Sequence, residues 1–585
     1  MTMDDNARAL FQRAHEQDPD HVEFDPPGGL AAVYERAAAL SPQRAQTRAY
    51  GIDLGTTYSC ISRIDSTGEA MIIPNRAGET KTPSVVLFES RGTVLVGRKA
   101  KNAARTVPNL VVKNIKRRMG MKHVELAHHG VTYTPETVSA LILKDLVRSV
   151  RESTGETVRD VVITVPAYFG VAERQATRIA GEIAGLNVMN LVPEPVAAAM
   201  YYSALTPAAN RTFLVYDLGG GTFDATVIRL VRGAVAVVCT DGSQFLGGMD
   251  WDEKIAMHLV NRFVAEVPHA GAEDSVEFLQ DMMLVAEDMK RELTQRMITS
   301  RVISFDGHSV LAELTRAEFE EITARLLQQT MDLTERTIAK ARETGVDHID
   351  EVILVGGSTH MPAVAAGIAA RFGFAPQRKD PDMAVAKGAA LYAVYETVHV
   401  QQDRDTSDHQ RPGLSSGLAD ELDIPLATVE KMRNFRVISV VPRAFGVKVF
   451  VEGDPQSPEG TGQLIVWHLL HANTPLPTAR YTCQFVTAVD NQQEIYIEIW
   501  EQASDLESPD LADNKHVGEG IIRQLPPLRR GSPVDVTFQM DEVGRLFVEA
   551  IELRSGQRLS IELQIGGMTP QDIAHVRNTI ETLSS

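Results

Sequence analysis

The 585-residue chain is poor in cysteine: Cys60, Cys239 and Cys483 stand far apart. Their odd number and wide spacing argue against a disulfide framework and exclude paired zinc ligands. A reducing, cytoplasmic setting is the expectation. No apolar run is long enough to span a bilayer. The polar start "MTMDDNARALFQRAHEQDPDHVEF" has neither the basic opening nor the apolar stretch of a signal peptide. Positive charge is also short, with 58 Lys and Arg against 77 Asp and Glu and a formal net charge of -19. That balance disfavours nonspecific binding to nucleic-acid phosphates or anionic membranes, so neither is an expected partner. The sequence G-x-x-x-x-G-K-[ST] is absent, which excludes a P-loop.

What is present is ample core material. The chain is 44% hydrophobic, enough for several domains. Residues 1–48 read as a helical extension. Its first helix, before "DPDH", faintly resembles the end of a tetratricopeptide unit, but one partial unit cannot bury its own face, so an appended arm is the better reading. Residues 49–398 alternate strands and helices, as an α/β domain requires. "VRDVVITVPAYF" is a β-branched run suited to a buried strand, and "VAERQATRIAGEIAGL" a helix ending near Gly185. Residues 273–300 and 315–345 read as long amphipathic helices.

Residues 399–435 turn polar and read as a linker with a short helical insert. From 436 to 567 the pattern has period two. "FRVISVVP", "AFGVKVFV", "GQLIVWHLL", "YTCQFVTAV", "EIYIEIWEQ", "VDVTFQM", "RLFVEAIEL" and "RLSIELQI" predict an all-β sandwich. Residues 568–585 predict a closing helix capped by Thr569, with Pro570 at its first position.

"AYGIDLGTTYSC" and "YDLGGGTFD" share one device: an apolar strand, Asp-Leu-Gly, Thr, then a returning strand. Two related halves would bring both turns to one cleft. Glycines let backbone N–H groups approach phosphate oxygens, and Thr hydroxyls add donors. Asp53 and Asp217 would hold Mg²⁺ through its waters. "LVGGST" supplies a third turn for the sugar and α-phosphate side. Ordinary tight turns would explain any one of these, but not three in order.

With "VPAYF", "RQAT", "AGLNV", "PEPVAAAMYY", "FLGGMDWD" and "PDMAVAKGAA", these stretches resemble the Hsp70 chaperone family, closely over 49–398 and more loosely over 436–580. The resemblance implies a duplicated, actin-like (ribonuclease H-like) ATPase domain followed by a peptide-binding sandwich, using ATP and Mg²⁺, with K⁺ a further candidate ion. It assigns the chemistry to Lys116, Glu194, Asp217, Thr222 and Asp53, with Asp53 and Asp217 at the metal and Asp224 beside the second phosphate loop. Nucleotide contacts would come from Gly55, Thr56, Thr57, Tyr58, Gly219, Gly220, Gly221, Thr222, Gly247, Gly248, Gly356, Gly357, Ser358, His360 and Asp382. Glu287, Lys290, Arg291 and Thr294, in "EDMKRELT", would clasp the adenosine from one helical face. Alone, that stretch reads as a solvated charged face. Two positions depart: His360 stands where the family usually has an adenine-stacking Arg, and Pro193 where it has Asn.

In the sandwich the resemblance places a peptide pocket at Ile495, its walls at Phe485 and Ile497, and an arch at Val466 and Ala488. An extended hydrophobic polypeptide would bind there. Without the resemblance these residues read as sandwich core. The family's short acidic, leucine-rich linker is replaced by "NFRVISVVP", and no long helical lid is expected. Implied partners are unfolded polypeptides, a J-domain co-chaperone and a nucleotide exchange factor. Two other readings compete: an Hsp70-like adaptor dedicated to one partner, and a sugar kinase or filament ATPase of the same superfamily. The sandwich and "VPAYF" argue against the latter.

Overall fold

The computed structural model describes residues 48–121, 124–205, 210–231, 233–405, 414–451, 462–504, 506–542, 544–562 and 570–583. The expected arm and the Thr569 cap lie outside them. The chain's first long apolar strand, Tyr50–Leu54, turns back antiparallel as Tyr58–Ile64 and lies parallel to Asp160–Val165. Asn187–Pro193 extends that parallel edge. Five of the six residues of Asp160–Val165 are buried, as a strand covered on both faces must be.

The second half repeats the plan. Arg211–Leu218 turns back antiparallel as Phe223–Val231 and lies parallel to Glu351–Val355. In both halves the Asp-Leu-Gly turn closes the central strand. Each half has its own core, and a third core fills the space between them. There the helices Glu194–Leu205 and Ala384–Asp405 cross with main chains in contact. A Cβ at Gly388 would sit 1.7 Å from the Ala197 carbonyl oxygen, and one at Gly51 would sit 2.2 Å from the Ala390 nitrogen. Only glycine fits at either point.

Four expectations need correction. The helix expected over 273–300 is Val276–Leu293, after which the chain becomes the hairpin Ile298–Phe305 with His308–Thr315. The helix expected over 315–345 is two, Arg316–Ile322 and Ala324–Glu343, broken at Thr323 where φ is -107° and ψ 2°. Thr315 and Glu318 form a capping box at the first. "FRVISVVP" does not open the C-terminal sheets. Its strand Arg436–Ile438 runs parallel to Ala234–Ser243 at the edge of the second-half sheet. A period-two pattern specifies a half-buried strand but not which sheet receives it.

Between the α/β halves and that strand lie two helices, Leu414–Leu422 and Leu426–Arg433. Their Leu418, Leu422, Val429 and Met432 are buried in the core between the halves, so residues 414–433 are packed structure rather than a solvated tether.

The C-terminal β region forms two antiparallel four-stranded sheets. One has the order Gln463–Leu470, Phe445–Val451, Ile495–Gln502, Asn514–Ile522, and the other Tyr481–Val486, Pro533–Met540, Leu546–Glu552, Arg558–Glu562. Both contribute to one core, with Phe445, Ile499, Phe538 and Leu546 at under 2% exposure. "NKHVGEGII" takes the place "FRVISVVP" was expected to fill. The helix Pro570–Glu581 returns to the first half, where Lys144 Nζ donates to the Ile580 carbonyl at 2.8 Å.

Candidate functional site

The two Asp-Leu-Gly turns touch. A Cβ at Gly220 would lie 1.9 Å from Thr57 Oγ1, and one at Gly221 2.4 Å from Thr56 Cγ2. Gly247 packs on Gly221, where a Cβ would meet its main chain at 2.6 Å. The third turn closes from the side. Gly356 has φ +85°, and a Cβ there would lie 2.4 Å from the Leu218 carbonyl oxygen and 2.8 Å from Asp217 Oδ1. Ser358 Oγ donates to the Gly219 carbonyl at 2.8 Å. Gly357 brings its main chain to Asp382, whose Oδ1 would lie 3.2 Å from an added Cβ. Gly248 and Met249 donate their amides to Gly219 and Gly220 at 3.0 and 2.8 Å. Gly55 and Thr222 lie at the turns themselves, and Thr222 is buried.

Behind the turns the charge is concentrated and mostly negative. Asp53 accepts from Thr164 Oγ1 at 2.9 Å, and burial, then the charge of Glu194, pushes its carboxyl up to about 6. Burial, then Glu194, Asp224 and Asp53, raises Asp217 well above the carboxylate range. Asp224, accepting the Tyr168 amide at 3.1 Å, is pushed up to about 7 by burial and then by Glu194. Against these stands Lys116, 4% exposed, with Nζ 2.6 Å from Glu194 Oε1. One ammonium cannot balance this group, and among the described residues Asp217 Oδ2 is buried with no hydrogen-bond partner. That orphan oxygen fits a cation site. Among the described residues no three His, Cys, Asp or Glu side chains converge as a direct ligand set.

At the open end, Tyr58 is a hub. Its hydroxyl accepts from Lys101 Nζ at 3.1 Å and Arg291 Nη2 at 2.8 Å. Glu287 pairs with both cations, at 2.5 and 2.9 Å. Burial raises its carboxyl, but Lys101 and Arg291 outweigh this and hold it below the usual range. Lys290 Nζ donates to the Gly248 carbonyl at 2.7 Å and pairs with Asp252 at 2.8 Å. Glu287, Lys290 and Arg291 therefore do face the crevice. Thr294 is the C-cap of that helix, and its hydroxyl donates to the Arg291 carbonyl at 2.7 Å. His360 Nε2 lies 3.5 Å from Asp382 Oδ2, which Lys81 also reaches at 3.1 Å.

Lys81, Lys101 and Arg117 were not singled out in the sequence. Lys81 and Lys101 tie the first half to Asp382 and Glu287 of the second. Arg117 donates to the Gly221 carbonyl at 2.7 Å and pairs with Asp250 at 2.5 Å. Its place beside Lys116 in "IKRRMG" was the available signal; the lysines carried none.

In the two-sheet unit, Ile495, Ile497 and Phe485 share the core cluster. Ala488 is exposed, and its amide donates to Gln492 Oε1 at 3.2 Å. Val466 does not join them. It stands opposite Lys448, while the neighbouring Val447 and Val449 face the core. Residues directly opposite share a face, so Val466 points to the other side of the sheet. It is 1% exposed, and its amide donates to the Pro509 carbonyl at 2.8 Å.

A nested set of glycine turns around buried carboxylates, with a two-sheet unit behind, marks a mixed α/β protein with many sheets, an arrangement consistent with an actin-like ATPase domain. The Hsp70 protein family model matches residues 49–405 and 459–584. The chain is 36% identical over 546 residues to the protein named Chaperone protein DnaK of Halobacterium salinarum, covering 92% of this chain and 78% of the relative. The chain belongs to the Hsp70 family. Among the described residues no helix is long and apolar enough to cross a membrane.

Proposed function

We propose that the protein is an ATP-driven chaperone of the cytoplasm that binds exposed hydrophobic segments of unfolded polypeptides and releases them on ATP binding. The observation that carries the reading is the contact of the two glycine turns, with Asp53 and Asp217 behind them and Lys116 among the carboxylates. The crevice residues fit a magnesium nucleotide. Main-chain amides of the glycine turns, with Thr56, Thr57 and Thr222, would hold the phosphates. Asp53 and Asp217 would hold Mg²⁺ through its waters, in keeping with the unpartnered Asp217 oxygen. Glu287, Lys290, Arg291, His360 and Asp382 would bind the nucleoside. Bound MgATP supplies the transferable phosphoryl group and a divalent charge among the carboxylates. Lys116, held by Glu194, stabilises negative charge that develops during transfer. Asp224, tied to the Tyr168 amide, and Thr222 fix the second loop.

The peptide would bind at Ile495, Phe485, Ile497 and Ala488, adding backbone hydrogen bonds and inserting an apolar side chain. Coupling is supported by the strand that joins the domains and by a side-chain contact between them. Arg436–Ile438 extends the second-half sheet, and Arg443 Nε donates to the Tyr168 carbonyl at 3.1 Å, beside the crevice. A J-domain protein and an exchange factor would act on this cycle. The test is steady-state ATPase with and without an unfolded peptide. Slow turnover that rises with peptide and vanishes in Lys116→Ala is expected. Binding of ATP with no response to peptide would instead favour an adaptor.

A further inference from the structure

Arg117 reaches across the crevice. It lies on the short 3₁₀ turn Ile115–Arg118, whose Ile115 belongs to the core of the first half. Its partners belong to the second half. They are Gly221, in the second glycine turn, and Asp250, on the helix Gly248–Glu266, whose Trp251 is buried in the other core. Arg117 Nε donates to the Gly221 carbonyl at 2.7 Å. Nη1 and Nη2 donate to the two Asp250 carboxylate oxygens at 3.2 and 2.5 Å. The guanidinium is 13% exposed and the carboxylate 17%, so salt screens the pair little. A planar fork matches a carboxylate in this way, and a lysine ammonium cannot reproduce it.

The two acceptors form one body. The Gly248 and Met249 amides bond the helix start to Gly219 and Gly220 of the turn. Asp250 Oδ2 also accepts the Gly247 amide at 2.7 Å, which ties the carboxylate to the loop before its own helix. The fork therefore grips the second turn and the helix start together. On its own side Arg117 is anchored as firmly. Gly120, three residues on, has φ +70°, and a Cβ there would lie 2.7 Å from the Glu173 amide nitrogen, so the main chain rests on the helix Val171–Ile183 of the first half.

Lys116 is the preceding residue on the same turn. With three residues per repeat, neighbouring side chains diverge by about 120°. Lys116 turns to Glu194, with Nζ 2.6 Å from Oε1, while Arg117 turns to the second half. One short, fixed piece of main chain carries both. We propose that Arg117 is a positioning residue for phosphoryl transfer. Its fork forms when the two halves close, and its main chain then sets the Lys116 ammonium in register with the second glycine turn. Opening the crevice breaks the fork and frees Lys116 from that register, which confines hydrolysis to the closed form. This rests on the magnesium-nucleotide reading above.

The test uses the full chain with MgATP and the variants Arg117→Lys, Asp250→Asn and their pair. Each is measured for single-turnover hydrolysis, for release of a fluorescent ADP analogue and for melting temperature. Arg117→Lys keeps the charge and loses the fork. Its hydrolysis should slow at least about 10-fold, since a misplacement of about 1 Å costs on the order of 100-fold. Its release of the analogue should quicken, because a contact that holds the crevice shut is gone. Asp250→Asn keeps an oxygen for the Gly247 amide but faces Arg117 with a nitrogen that cannot accept, so both effects should recur. The pair should cost little more than either single change, because both break one contact.

A purely structural role gives the opposite split: a lower melting temperature, with hydrolysis and release unmoved. That result overturns the proposal. A slowed hydrolysis in Arg117→Lys that Asp250→Asn does not share also overturns it, since Arg117 would then act on the substrate itself. Losses that multiply in the pair overturn it too. Should Asp250→Asn fail to fold, Arg117→Lys decides alone: slowed hydrolysis with quickened release supports the proposal, and slowed hydrolysis with unchanged release overturns it. An unaltered chain that binds no ATP, or never turns it over, sinks the magnesium-nucleotide reading and this inference with it. Turnover in the unaltered chain that Arg117→Lys leaves unchanged sinks this inference alone.

Discussion

The glycines of the crevice between the α/β halves pack against main chain and short side chains, whereas Gly520 of the two-sheet unit packs against aliphatic tips. In the crevice, added Cβ atoms at Gly220, Gly221, Gly247, Gly356 and Gly388 all strike main-chain atoms or short, fixed side chains. In the two-sheet unit, the Cβ of Gly520 would meet the Ile561 and Leu559 tips at 2.5 and 2.7 Å. Main chain in a packed core cannot give way, while an aliphatic tip can rotate. The crevice therefore holds a fixed arrangement of charge, and the sheet face at Gly520 tolerates repacking, while Gly446, whose Cβ would lie 2.2 Å from the Trp467 carbonyl oxygen, is held as tightly as the crevice.

The sharpest way to break that comparison is the same substitution in both places. Gly388→Ala forces a methyl to 1.7 Å from the Ala197 carbonyl and should cost at least about 4 kcal/mol, leaving little soluble protein. Gly520→Ala should cost only about 1–2 kcal/mol, within the range of ordinary overpacking. Equal losses of melting temperature would show that the two regions are equally rigid.

Next in size is Lys116→Ala, which should reduce single-turnover hydrolysis at least about 100-fold. It also strands Glu194, so stability should fall. Adding Glu194→Gln should recover the melting temperature but not turnover. Turnover that returned with stability would make Lys116 a structural cation only.

Ile497→Ala should destabilise the two-sheet unit by about 2–4 kcal/mol, since Ile497 is 6% exposed within its core. Exposed Ala488→Ser should stay within about 0.5 kcal/mol. If Ala488→Ser nevertheless weakens peptide binding as much as Ile497→Ala, the peptide lies over Ala488 and the cost at Ile497 is mostly packing.

The crevice was the more legible region because its signals are local. Asp-Leu-Gly followed by Thr must lie at a strand end, and two copies imply a shared cleft. Lys81 and Lys101 left no trace, because a lysine that crosses the crevice reads like any surface lysine. Arg436–Ile438 was read correctly as strand and wrongly as to sheet, since strand pairing is a long-range choice. Glu501, in phase with Ile495, Ile497 and Ile499 in "EIYIEIWEQ", is buried with its Oε1 accepting the Val171 amide, a long-range contact that no local pattern announces. The helices of 414–433 were missed as core because polar residues between their few apolar ones dilute the periodicity, while Leu418, Leu422 and Val429 meet the core from a narrow stripe.

The smallest expected effect concerns how that insert is held. Arg48 pairs with Asp423 of the insert and, at 2.8 Å, with Glu156. The pairing looks like the tie that fixes the insert to the first half, yet Asp423 is 47% exposed and screened by solvent. Exposed pairs contribute at most about 1 kcal/mol, while burying a leucine contributes about 1.5–3 kcal/mol. Leu422, at 3% exposure, should therefore outweigh the ion pair. Arg48→Ala is expected to lower the melting temperature slightly, and less so at high salt, whereas Leu422→Ala should lower it clearly at any ionic strength. An Arg48→Ala loss as large as that of Leu422→Ala would mean that charge, not apolar packing, seats the insert, and that the insert follows the side-chain logic of the two-sheet unit less closely than its core contacts indicate.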